Sequence, residues 1–168
     1  MESIKRPNII PEKIEIRSIR IISGNINCPS NSVLGLSPIH NFETTYIVDS
    51  KVNPSDKLIL FLFTTLLDAR DDNNSKMPIN AEYLIEFIFH IDNFDDYKVD
   101  TDINLVQDVK TTFEMDEMFM ATLMGIVYST ARGIILQRTV GTILNGVIIP
   151  VIDPKILLKG NLLIDKEN

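Results

Sequence analysis

The residues that could do chemistry are few and scattered. The chain has two histidines and one cysteine. His90 opens the run "HIDNFDD", which places Asp92, Asp95 and Asp96 just beyond an imidazole. A metal centre needs such ligands to converge in a fixed geometry. Here His90 and Asp92 only follow the alternation of a strand, and the later aspartates fall in a turn, so the group reads as a solvated strand end. "DARDDNN" (68–74) resembles a cation loop but lacks the glycine and closing glutamate of a calcium-binding hand. It reads as a charged hairpin tip. Gly141 and Gly146 have no Lys-Ser or Lys-Thr after them, so no phosphate cradle is supported. Cys28 would be a nucleophile only with a histidine beside it in space, and His40 is the one other imidazole. No pair of carboxylates stands out as a general acid and base. The expectation is a protein with no catalytic residues, no metal and no cofactor.

The elements around these residues are more informative. From Met118 to Ala131 the chain carries no charged side chain, and a long helix is expected from about Asp116, its N-cap, to Arg138, with Gly141 as its stop. A helix on the surface of a lone domain should have a polar side. This one offers only Thr122, Gly125, Ser129 and Arg132, spaced three or four apart. Small residues on a stripe let helices approach closely, so Thr122, Gly125 and Ser129 are expected at a subunit contact. The alternative is a core helix within one chain.

Ahead of the helix the period is that of strands. "KIEIRSIRIISGNI" (13–26) changes its apolar parity, which predicts a bulge near Ser18. A long loop (27–41) leads to a second strand (42–52). "KLILFLFTTLLDAR" (57–70) reads as a third strand, buried on both faces. "AEYLIEFIFHID" (81–92) puts Tyr83, Ile85, Phe87, Phe89 and Ile91 on one face and Glu82, Leu84, Glu86, Ile88 and His90 on the other. A polar connection (93–115) follows, then the helix, a partly apolar loop (142–155) and a short helix opened by Asp153 and Pro154. Strands first and helices last mean an α+β domain with helices on one face of an antiparallel sheet. The expected organisation is a flexible leader (1–12), one domain (13–160) and a tail (161–168).

The 168 residues carry a net charge of -7, and 45% are hydrophobic. An acidic protein with dispersed basic residues is a poor partner for nucleic acid or anionic membrane. No stretch reaches the roughly 18 uninterrupted apolar residues of a membrane span, and no secretory signal opens the chain, so no membrane insertion and a cytoplasmic location are expected.

Three stretches resemble SecB, the bacterial export chaperone, and its relatives in toxin–antitoxin operons. They are "IRSIRIISGNINCPSN", the pair "SDKLILFLFTTLLDA" and "AEYLIEFIFHIDNF", and "YSTARGIILQRTVGTILNGVIIPVIDPKILL". In the last, Tyr128, Ala131 and Arg132 precede a Gly-Thr step at Gly141 and Thr142, as in that family. The resemblance implies a SecB-like four-stranded antiparallel sheet followed by a long helix and a short C-terminal helix. It implies a homotetramer, a dimer of dimers, and an ATP-independent holdase that binds unfolded or nascent polypeptides in apolar grooves, with a role in export. By the resemblance, Val33, Leu34, Leu36, Ile39 and Phe42 border the groove from one side. Ile143, Leu144, Val147 and Ile148 border it from the other. Leu84 and Glu86 match the family's docking surface for the translocase motor, although Ser23 and Asn27, the matching first-strand positions, are uncharged. An adaptor of the same fold that binds one protein, such as an antitoxin, is the alternative.

Overall fold

The computed structural model describes residues 8–29, 38–99 and 114–159, and the backbone of 162–164. Four long strands form the body of one antiparallel sheet: β1 (Ile14–Asn27), β2 (Asn41–Asn53), β3 (Leu58–Arg70) and β4 (Lys76–Ile91). Lys98–Val99 (β5) and Glu114–Met115 (β6) make a separate short ladder. The long helix α1 spans Glu117–Thr139 and the short helix α2 spans Pro154–Leu157. A last strand, β7 (Leu162–Ile164), lies within the span expected to be a tail and joins the sheet beside β2. The strand order is β1-β4-β3-β2-β7.

The turns follow from their side chains. Asn53 and Asp56 bond each other at 2.7 Å and set the turn before β3. At the next hairpin, Asp71 accepts from the backbone N–H groups of Asn73 and Ser75 at 2.9 and 2.8 Å. The acidic run at 68–74 therefore serves as turn chemistry.

The core lies between one sheet face and α1. Ile59, Phe61, Phe63 and Leu67 of β3 and Tyr83, Ile85, Phe87 and Phe89 of β4 are fully or almost fully buried there. The opposite face of β3, with Leu58, Leu60, Leu62 and Leu66, is only half-buried, so the expected burial on both faces is corrected. Among the described residues no helix covers that side; α1 packs on the other.

Asp116 caps α1, accepting from Phe119 N–H at 2.8 Å, and Gly141 closes it in the left-handed region at φ +77°. The helix is long and apolar enough to cross a membrane, but its stripe of Phe119, Leu123, Val127, Ala131 and Ile135 is buried in the sheet interface. At its first turn Phe119 stacks on Tyr97, with ring centroids 3.8 Å apart. The Tyr97 hydroxyl donates to Asn8 C=O at 3.3 Å and accepts from Ile10 N–H at 3.4 Å. The leader is thus tied down from Asn8 onward.

β1 holds the expected bulge, between Ile16 and Ser18, and a second between Ile21 and Ser23. Together they keep Ile14, Ile16, Ile19 and Ile21 opposite Ile91, Phe89, Phe87 and Ile85, on the helix side of the sheet. The helix does not reach that far: Ile16, Ile19, Ile21 and Ile22 are 43%, 40%, 38% and 50% exposed.

Candidate functional site

The residues singled out for chemistry do not converge. His40 Nδ1 sits 3.2 Å from Asp72 Oδ1, and His90 Nδ1 sits 3.5 Å from Asp92 Oδ1. Among the described residues, no three of His, Cys, Asp and Glu are grouped as metal ligands. Glu86 and Leu84 share the outer sheet face, but Glu86 is only 8% exposed. Arg20 of β1 holds its Oε1 at 2.6 and 2.7 Å through two guanidinium nitrogens. Its charge is therefore neutralised within the chain. Of the helix stripe, Ser129 is exposed, the Thr122 hydroxyl donates to Met118 C=O at 2.8 Å, and Gly125 faces α2. A Cβ at Gly125 would meet Pro154 Cγ at 3.5 Å, an ordinary contact, so this is where α2 lies on α1.

What the fold does assemble is a cleft. The start of β2 supplies Ile39, His40, Asn41 and Phe42, and the loop after α1 supplies Ile143, Asn145, Gly146 and Ile148. The space between them is about 290 Å³. The loop divides its side chains between two duties. Leu144 and Val147, expected in the groove, are 0% and 3% exposed and belong to the core. In the unliganded chain those two face inward and anchor the loop. Ile143 and Ile148, at 41% and 66% exposure, point outward. Gly146 adopts φ +89°, a left-handed bend that a side chain would oppose, and so lets the loop turn between its anchors. Val33, Leu34 and Leu36 lie outside the described residues.

Both ends of the loop are pinned. The Thr142 hydroxyl donates to Thr139 C=O at 2.8 Å and accepts from Leu144 N–H at 3.1 Å. At the other end, the Tyr128 hydroxyl donates to Pro150 C=O. Tyr46 of β2 lies 3.3 Å from Tyr128, hydroxyl to hydroxyl, so the sheet, the helix and the cleft wall are joined by one hydrogen-bonded chain. The pair meets edge to face with centroids 5.6 Å apart. Sequence reasoning passed over this link, because a tyrosine at strand or helix period looks like any core aromatic.

The Tyr46 pair has a pH consequence. Burial pushes the Tyr46 hydroxyl far above its usual range, and burial also raises Tyr128. In the unfolded chain a tyrosine loses its proton near pH 10, whereas the folded chain keeps it. The stability this protects is complete below about pH 10 and is lost as pH rises from there toward the folded pKa, at up to about 1.4 kcal/mol per pH unit for each tyrosine. Denaturant unfolding between roughly pH 9 and 11 should fall with that sign. Tyr46→Phe should flatten the slope; an unchanged slope would contradict the assignment.

No protein-family model matches the sequence, nor does any curated protein sequence. A solved structure does: a SecB-like chaperone of Mycobacterium tuberculosis in complex with a ChAD peptide from the HigA1 antitoxin. The two share 11% identity at a TM-score of 0.51, over 84% of this chain and 91% of that one. The fold is SecB-like. Four antiparallel strands, a long helix and a short one follow in the expected order. At this identity the likeness speaks for the SecB-like fold alone.

Proposed function

We propose that this protein is an ATP-independent holdase that binds extended, apolar stretches of unfolded or nascent polypeptide in the cleft between Ile39–Phe42 and Ile143–Ile148. The observation that carries the reading is an open cleft of mixed lining with a pinned wall, at which Ile143 and Ile148 stay exposed, on the SecB-like fold. Ile143 and Ile148 line the same cleft and are both left out of the core, and grouped exposed apolar side chains mark interaction sites where single ones do not. The neighbour in complex with an antitoxin peptide supports a polypeptide as the ligand. The function needs no cofactor and no catalytic residue, and its place is the cytoplasm, where export clients are still unfolded. The test is suppression of aggregation of several unrelated denatured proteins without nucleotide. Protection of all of them at near-stoichiometric ratios is expected, and protection of none sinks the reading. Protection of one alone would make the protein a dedicated adaptor instead.

Self-assembly belongs to this reading, as a tetramer built from dimers. The row of Ile16, Ile19, Ile21 and Ile22 lies on an edge strand, next to a second cleft lined by Ile21, Ile22, Ile26, Tyr83 and Arg138. An edge strand with an uncovered apolar face is the kind of surface that pairs with another chain. Thr122 and Ser129 on α1 are a second contact in the same proposal. Ile19→Lys with Ile21→Lys should convert the oligomer to monomer in sedimentation at micromolar concentration. A wild-type monomer, or a variant that assembles unchanged, would refute it. Docking on the translocase motor through Leu84 and Glu86 is the lesser partner reading, because Arg20 already occupies Glu86.

A further inference from the structure

The sheet has two edges, and they are treated differently. β1 ends the sheet on one side. On the other, β2 is paired with β3 along its whole length, from Asn41 to Asn53. Among the described residues its outer edge carries only β7, at three positions: Thr44 opposite Ile164, Thr45 opposite Leu163 and Tyr46 opposite Leu162. Immediately before those positions, Asn41 and Phe42 line the cleft. The edge that β7 occupies is therefore continuous with the cleft wall.

We infer that the outer edge of β2, from Asn41 to Tyr46, is a strand-addition site for the backbone of the extended polypeptide whose side chains enter the cleft, and that β7 is its resident occupant, displaced by the client. The inference rests on the holdase reading. Three features of the chain support it. First, β7 is itself a sample of the proposed ligand, a Leu-Leu-Ile run paired antiparallel through its backbone. Second, it is weakly committed: a three-residue ladder, connected through the four-residue helix α2, stands at the low-stability end of a sheet whose other strand pairs run twelve or more positions. Third, the division of labour suits a binder of many sequences. Main-chain hydrogen bonds along a sheet edge hold any extended peptide, while an adjoining pocket takes its side chains. A resident strand would also shield the edge from unwanted pairing between copies when no client is present.

The test uses the full chain. Thr45 and Leu163 are directly opposed in register, within reach of a disulfide. Thr45 lies on the outer sheet face, away from the cleft. The variant Thr45→Cys, Leu163→Cys, on a Cys28→Ser background, fixes β7 in place when oxidised and frees it when reduced. The probe is reduced, carboxymethylated α-lactalbumin, which stays unfolded, titrated by fluorescence anisotropy. Oxidation should weaken binding roughly five- to tenfold or more, and reduction should restore it. In the opposite direction, Leu163→Pro removes a donor and obstructs pairing. It should tighten binding by roughly five- to tenfold, the factor by which an occupant docked most of the time lowers apparent affinity. Equal affinity with β7 fixed and free overturns the strand-addition site while leaving the holdase reading intact. A reduced protein that binds no unfolded polypeptide overturns both.

Discussion

The double variant Ile143→Ser, Ile148→Ser is expected to lose most of its ability to suppress client aggregation while its melting temperature stays near that of the wild type. The two side chains are exposed in the unliganded chain, so removing them opens no cavity. Each would bury its apolar surface only on a client, contributing roughly 1.5–3 kcal/mol before ordering costs are subtracted. After those costs, client affinity should fall by roughly 10- to 100-fold, since each 1.4 kcal/mol is tenfold. Phe42 is kept, because it is half-buried against the core and its loss would confuse stability with binding. Leu144→Ser is the matched control from the same loop. Its side chain is fully buried, and it should destabilise the fold rather than act on clients selectively. Unaltered suppression by the double variant would remove the cleft from the mechanism.

Phe119→Ala should be among the most damaging single changes to stability. Phe119 and Tyr97 are both fully buried and stack nearly parallel, at 5° between ring planes. Truncating a buried phenylalanine typically costs about 3–5 kcal/mol, from lost burial and from the cavity left behind. For a chain of this size that is a fall in Tm of roughly 6–20 °C. The damage should spread, because Tyr97 also holds Asn8 and Ile10 through its hydroxyl. Hydrogen exchange should therefore rise at residues 8–13 as well as at the start of α1. A loss of stability below about 1 kcal/mol would mean that the stack contributes little.

The order of elements was legible in the chain because each carries a local signal. The alternation from Tyr83 to Ile91 fixed the inward face of β4. The parity change around Ser18 marked a bulge. Asp116 and Gly141 marked the ends of α1 to within a residue. These signals act over a few residues, through backbone sterics, capping and the two periods of side-chain direction. The SecB-like architecture follows from their order, and the resemblance in sequence agreed with it.

The site was legible only in part, and the reason is physical. Ile143, Leu144, Val147 and Ile148 are chemically alike, and local sequence could not tell which would face inward. The left-handed bend at Gly146, and the anchors at Thr142 and Tyr128, decide that Leu144 and Val147 enter the core while Ile143 and Ile148 line a cleft. The same holds for Glu86, whose acidity was plain but whose neutralisation depends on Arg20, 66 positions away in sequence. That the chain's own Pro154 lies against Gly125 was likewise not legible in the sequence. The isoleucines of β1 are uncovered because α1 lies over β3 and β4 and stops short of that edge. Sequence alone determined the four long strands, the two helices, the ends of α1 and the inward face of β4, since these depend on neighbours along the chain. Tertiary structure alone decided which apolar side chains remain in water, because that depends on where a helix of fixed width and length lands on a sheet wider than itself.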